Sequence, residues 1–135
     1  MKIRNILAII SITSALSVSA FAMEFTQGEH IIITNQYATI FEKYFNEGIT
    51  KYALQFESGA RDTGYTAGML YKTGGCTERE QYPMCVGATA QLSTNGSIVK
   101  VVGFAKDSQG IKFALQFDDR SIDTGYTRDM LTWLY

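Results

Sequence analysis

Two stretches of this chain decide its fold, and they are nearly the same stretch: Tyr52-Ala-Leu-Gln-Phe56 with Asp62-Thr-Gly-Tyr-Thr66, and Phe113-Ala-Leu-Gln-Phe117 with Asp123-Thr-Gly-Tyr-Thr127. They align without gaps at the constant offset that places Tyr52 on Phe113, and 11 of the 20 pairs from Tyr52/Phe113 to Tyr71/Thr132 are identical. Unrelated segments would share about one pair, so the pattern indicates an internal duplication. The match extends backward more faintly, to Thr34 on Thr94 with a one-residue shift.

The pattern inside each copy predicts β-strands. In Tyr52–Phe56 the large apolar residues fall at every second position, which places them on one face of a strand. Ser97–Val102 is rich in β-branched residues, and the Asn95-Gly96 pair before it is a hairpin turn signal. The segment Ile40–Phe45 also fits a helical face, but its place in the duplication favours strand, turn and strand.

The order of elements in each copy resembles the bacterial SH3-like small barrel, in the company of SH3b and Tudor-type domains. The residues that carry the resemblance are Val101-Val-Gly103, Phe113–Phe117, Asp118-Asp119 and Leu131. The resemblance implies an all-β fold of two tandem SH3-like small barrels, with ligand binding as the usual role. The chain lacks the aromatic-and-proline set with which eukaryotic SH3 domains grip polyproline.

The N-terminus predicts export. Residues 1–22 combine a short basic start, an apolar run and Ala20-Phe-Ala22, which is typical of a bacterial signal peptide. The apolar run is about 13 residues, whereas a membrane anchor needs roughly 20. We therefore expect a periplasmic or secreted protein that is not inserted in a membrane after signal removal. The predicted division is 1–22 signal peptide, 23–75 first repeat, 76–85 linker and 86–135 second repeat.

The two cysteines, Cys76 and Cys85, predict a disulfide that closes the linker between the repeats. An even cysteine count in an exported chain favours a bridge. Their spacing is not the C-x-x-C of redox sites, and His30 is the only histidine, so neither redox chemistry nor a metal site is indicated. No cofactor is expected.

The charge balance argues against nucleic acid as a partner. The whole chain has 12 basic and 13 acidic side chains, and two of the basic ones, Lys2 and Arg4, belong to the predicted signal peptide. The remaining chain therefore has 10 basic against 13 acidic side chains, a net charge of −3. Nucleic-acid binding needs clustered positive charge.

The repeated Asp-Thr-Gly, at Asp62 and Asp123, invites comparison with aspartic proteases, in which two such loops share one proton and activate a water. Each copy is about half the length of a protease lobe, Arg61 stands where the enzymes have an apolar residue, and tyrosine follows the glycine where they have a small residue. A plain turn is the simpler interpretation, in which the aspartate accepts a backbone N–H two residues on. We expect no catalytic residues.

The aromatic surplus is the best functional indication in the sequence. Aromatic rims suit stacking on sugars or gripping a peptide. The predicted binding residues are those after a repeated turn or at the chain end, namely Tyr65, Tyr126, Trp133 and Tyr135. The alternative is that Tyr65 and Tyr126 fill the barrel ends against Leu70 and Leu131.

The sequence therefore predicts an exported, non-catalytic binding module whose partner is a cell-wall glycan or an envelope or extracellular protein. An inhibitor or stabiliser of an envelope enzyme, and a structural surface subunit, are the alternatives. A hydrolase using Asp62 and Asp123 is a further one.

Overall fold

A computed structural model describes residues 23–77 and 84–134 of the chain. The predicted signal peptide, most of the predicted linker and Tyr135 lie outside these ranges. Within them the chain forms ten β-strands and two 3-10 helices of three residues each, and the all-β prediction is confirmed.

The first five strands form what we call the first unit, and a 3-10 helix precedes the last of them in the chain. Their bounds are β1 His30–Ile33, β2 Gln36–Asn46, β3 Ile49–Phe56, β4 Arg61–Tyr65, the 3-10 helix Ala67–Met69 and β5 Tyr71–Lys72. The second unit has the same order of elements. Its bounds are β6 Thr89–Leu92, β7 Ile98–Asp107, β8 Gly110–Gln116, β9 Ile122–Tyr126, the 3-10 helix Arg128–Met130 and β10 Leu131–Trp133.

All ten strands join in one curled antiparallel sheet. The first unit has the order β5-β1-β2-β3-β4 and the second has β10-β6-β7-β8-β9. Strand β5 also pairs with β7 through Lys72 and Phe104, so the two units share a continuous sheet.

The two units have the same strand registers at the offset of the sequence repeat. The β2–β3 register shifts between Ile40 and Glu42, and the β7–β8 register shifts between Val101 and Gly103. The strand that follows keeps the correspondence, because Tyr52 pairs with Tyr65 as Phe113 pairs with Tyr126. Equivalent side chains therefore occupy equivalent places from the second strand onward.

The first strands of the two units, β1 and β6, correspond with a shift of two residues from the repeat offset, whereas the sequence indicated a shift of one. Ile31 pairs with Ala38 and Ala90 pairs with Val99, so Ile31 corresponds to Ala90. The cause is the turn: two residues separate the paired Ile33 and Gln36, whereas four lie between Leu92 and Ser97, whose backbone hydrogen bond is 2.8 Å long.

The ambiguous segment Ile40–Phe45 is strand, as the duplication predicted. Strand β2 runs on to Asn46, and a two-residue turn at Glu47 and Gly48 leads into β3. Both turn residues have positive φ, 56° and 84°, the conformation that matches the twist of a tight hairpin.

Each unit encloses an apolar cluster at equivalent positions. Tyr52 and Leu54 are buried in the first, and Phe113 and Leu115 in the second. Full burial of a leucine contributes about 1.5–3 kcal/mol. A third cluster lies between the units and combines side chains of both; its buried members are Ile32, Tyr71, Val102, Ala105 and Ala114.

Candidate functional site

The two Asp-Thr-Gly-Tyr turns form the same hydrogen-bonded structure. Asp62 accepts the backbone N–H of Thr63 at 2.9 Å and the hydroxyl of Tyr65 at 3.1 Å. Asp123 accepts the N–H of Thr124 at 3.0 Å and the hydroxyl of Tyr126 at 2.9 Å. The aspartates thus bond the next residue's N–H, where the sequence suggested the N–H two residues on. Each exposed carboxylate is engaged by its own turn.

Tyr65 and Tyr126 are half-buried. Their exposure lies between the two alternatives from the sequence, an exposed binding residue and a buried side chain that fills the barrel end. Tyr65 packs against the first apolar cluster, and Tyr126 against the second, where its ring lies 6.3 Å from that of Phe117. Burial raises the pKa of both tyrosines, and the aspartate that accepts each hydroxyl raises it further. Both phenols remain donors at neutral pH. Their role in binding stays a prediction.

The glycine of each turn is bonded by a further tyrosine. Gly64 and Gly125 have φ of 94° and 92°, in the region that only glycine adopts readily. The N–H of Gly64 donates to the Tyr44 hydroxyl at 2.9 Å, and that of Gly125 donates to the Tyr71 hydroxyl at 3.0 Å. Tyr44 belongs to the same unit as its glycine, whereas Tyr71 reaches across from the other unit.

Trp133 packs into the second unit and does not form a free rim. It lies on β10, half-buried, and its ring meets that of Phe113 edge-on at 6.1 Å. Tyr135 lies outside the described residues. The structure therefore brings Tyr65 and Tyr126 to equivalent places of the two units.

A cleft of about 370 Å³ lies on the first unit, and its described lining residues include none of the predicted binding residues. Its floor is a row of polar residues paired across neighbouring strands, His30 with Thr39 and Thr39 with Gln55. His30 Nδ1 and the Thr39 hydroxyl are 3.2 Å apart. Arg61 continues the row, since it pairs with Gln55 and its Nε donates to the Gln55 side-chain oxygen at 3.2 Å.

Aromatic side chains border this polar floor. Tyr37, Phe41 and Phe56 line the cleft, and the Arg61 guanidinium carbon lies 3.8 Å from the centre of the Phe41 ring. A cation over an aromatic face is attracted by the ring quadrupole, which holds Arg61 over the Phe41 ring. The surface combines flat apolar faces with hydrogen-bonding groups.

The second unit presents different side chains at the equivalent places. Its equivalent row is Thr89, Lys100, Gln116 and Ile122, in which only the glutamine is the same. Val102, the counterpart of Phe41, is buried between the units. The residues of the cleft thus differ between the units, so a search for shared residues could not find them.

Phe41 reaches the surface, whereas Phe56 packs against the first cluster, on the strand face that the alternation in Tyr52–Phe56 predicts. Phe41 is 36% exposed and Phe56 half-buried. Phe41 is the extra residue at the register shift of β2, so the alternation that assigns residues to faces fails there. The polar alternate positions of β2 and β3 are visible in the sequence, but the pairing that joins them into one row is not.

The predicted bridge is present: Cys76 and Cys85 form a disulfide. Such a bond is compatible with an oxidising compartment. Within residues 23–77 and 84–134, no group of three or more His, Cys, Asp or Glu residues could hold a metal ion. Over the same ranges, no helix has the length and apolar character needed to span a bilayer.

Comparisons of the chain with protein-family models, with curated proteins and with solved structures give no match.

Proposed function

We propose that this chain is an exported, non-catalytic binding module made of two tandem SH3-like repeats that arose by duplication. The common strand order, the 3-10 helix before each closing strand and the common registers support the two-repeat architecture. The signal-like residues 1–22 and the disulfide support export.

The observation that carries the binding proposal is the cleft on the first unit. Its polar floor presents an imidazole, a hydroxyl and an amide, and its borders are aromatic. Sugar rings are complementary to such a cleft, because their flat C–H faces stack on aromatic rings and their hydroxyls form hydrogen bonds with polar side chains. We therefore propose a cell-wall glycan as the ligand, and an envelope or extracellular protein as the alternative.

A non-catalytic role is supported by the two aspartates. Each carboxylate holds a tyrosine hydroxyl and a backbone N–H of its own turn, which are the contacts of a structural turn. A hydrolytic dyad would instead need the two carboxylates to share a proton.

The test is retention of the full-length mature protein on purified peptidoglycan, with envelope extract in parallel. We expect Phe41→Ala and Gln55→Ala each to weaken retention about tenfold, which corresponds to about 1.4 kcal/mol. Gln116→Ala is the matched control, because Gln116 holds the place of Gln55 in the second unit, where its neighbours are Lys100 and Ile122; it should leave retention unchanged. Retention on extract alone would favour the protein partner, and equal effects of Gln55→Ala and Gln116→Ala would refute the cleft as the site.

A further inference from the structure

The contact between the units is directional, because different surfaces of the two units meet in it. The first unit contributes Ile32 and Tyr71, from β1 and β5, whereas the second contributes Val102, Ala105 and Ala114, from β7 and β8. We call these the donor face and the acceptor face. Each unit has both faces by its position in the fold, so one donor face and one acceptor face remain outside the junction.

The junction depends on a close approach at a glycine. A Cβ on Gly103 would lie 2.9 Å from the Lys72 carbonyl oxygen and 3.2 Å from the Tyr71 Cβ. A Cβ atom essentially never approaches a backbone oxygen so closely, so strand β5 can lie against β7 only because this position has no side chain. The Tyr71 hydroxyl then reaches the N–H of Gly125 at 3.0 Å.

The free acceptor face of the first unit carries larger side chains at the same places. At the offset of the repeat, Glu42 stands for Gly103, Tyr44 for Ala105, Phe41 for Val102 and Arg61 for Ile122. Tyr44 supplies from within the unit the hydroxyl that Tyr71 supplies across the junction, bonding the N–H of Gly64.

The backbone edge of this free face is open. Within the described residues no strand pairs with Lys43 on the side away from β3, although its counterpart Phe104 pairs with Lys72. A groove lies along this edge, lined by Thr26, Gln27, Phe41, Glu42 and Lys43. A strand placed there as β5 lies on β7 would meet the Glu42 side chain.

The free donor face of the second unit is altered as well. Thr132 stands for Tyr71, and Gln91 stands for Ile32 in the displaced correspondence of the first strands. Asp129 stands for Gly68, whose Cβ position lies 3.4 Å from the Asp107 Cβ in the junction. The changes remove the apolar contacts and the tyrosine hydroxyl, and they place a carboxylate where the junction has a glycine in van der Waals contact.

We propose that this chain forms the junction once, between its own two units, and that side chains on the two free faces prevent further copies from docking in the same way. The blocking residues are Glu42, Tyr44 and Arg61 on the free acceptor face. On the free donor face they are Gln91, Asp129 and Thr132. A head-to-tail contact that does not close into a ring would otherwise extend into a filament. Terminal repeats of solenoid proteins carry polar outer faces for the same reason.

The experiment opens one end at a time in the full-length mature chain. One variant carries junction residues on its acceptor face (Phe41→Val, Glu42→Gly, Tyr44→Ala, Arg61→Ile), and the other carries them on its donor face (Gln91→Ile, Asp129→Gly, Thr132→Tyr). We expect each alone to stay monomeric and their mixture to form a 1:1 complex of about twice the monomer mass in sedimentation. The donor variant mixed with wild type is the control and should form none.

Concentration decides the sensitivity of this test. The natural junction forms between units of one chain, for which effective concentrations are of the order of 1 mM, so the mixtures are studied up to about 1 mM. Changes in the NMR chemical shifts of residues on the two faces serve as a second readout. Circular dichroism first confirms that each variant folds. Folded variants that show no complex and no shift changes would overturn the proposal.

A second measurement holds even if a variant fails to fold. Wild type should sediment as a monomer up to about 1 mM, without concentration dependence. A wild-type oligomer that Glu42→Arg dissolves would show that the free acceptor face is open to copies, and the proposal would be wrong.

Discussion

At the scale of single residues, the equivalent positions 52 and 113 show how one hydroxyl distinguishes the units. Tyr52 and Phe113 are both buried, but the Tyr52 hydroxyl accepts the backbone N–H of Phe25 at 3.2 Å. The ring of Phe25 meets that of Tyr52 edge-on at 5.6 Å, so the hydroxyl fixes the N-terminal segment over the first cluster.

We predict that Tyr52→Phe lowers the free energy of unfolding by about 1–3 kcal/mol, because it leaves the buried Phe25 N–H without a partner. Urea denaturation measures the change. Tyr44→Phe is the control, since its bond with Gly64 is exposed, and it should cost less than about 1 kcal/mol. Equal losses in the two variants would contradict the prediction.

At the scale of elements, the disulfide closes a hairpin that backbone bonds already define. Thr77 N–H donates to the Met84 carbonyl at 2.9 Å, and Met84 N–H donates to the buried Thr77 hydroxyl at 3.0 Å. The bridge spans a sequence separation of 9 residues beside these bonds.

We predict that Cys76→Ser with Cys85→Ser lowers stability by about 2–3 kcal/mol, the value for so short a loop in the chain-entropy model. The urea midpoint should fall while the slope of the transition changes little, since so short a loop alters the surface exposed on unfolding only slightly. A midpoint equal to that of the oxidised wild type would show that the hairpin bonds suffice without the bridge.

The strands could be predicted from the sequence because apolar alternation and turn residues are local properties. The alternation in Tyr52–Phe56 and the Asn95-Gly96 turn correctly predicted a strand and a hairpin. Phe41 could not be placed, because a register shift depends on the pairing of two strands. The cleft residues His30, Thr39 and Gln55 could not be grouped either, since they lie on three strands whose register the sequence does not specify.

At the scale of the whole molecule, Tyr71 links the units and its ionisation should matter. Burial raises its pKa, partly offset by the Gly125 N–H, Thr124 and the charge of Lys112, while Asp107 acts in the same direction as burial. A group whose pKa is raised on folding holds its proton more firmly in the folded state. Its contribution to stability is complete below the ordinary tyrosine pKa near 10 and is lost as the pH rises through the raised value.

We therefore predict that stability falls as the pH rises above about 10, and that the fall is smaller in Tyr71→Phe than in wild type. The measurement is the urea midpoint at several pH values from 7 to about 11.5. The comparison of the two proteins separates Tyr71 from Tyr65 and Tyr126, whose pKa values are also raised. Parallel curves for wild type and Tyr71→Phe would show that Tyr71 does not contribute.

Tyr37 connects the outer surface of the first unit with its attachment to the second. Among the described residues, this side chain alone both lines the cleft and packs against the cluster between the units. A ligand that needs Tyr37 in its packed position binds only when the two units are packed against each other. By thermodynamic linkage, ligand binding therefore stabilises the junction between the units. Ligand binding in the cleft of the first unit would then raise the melting temperature of the whole protein.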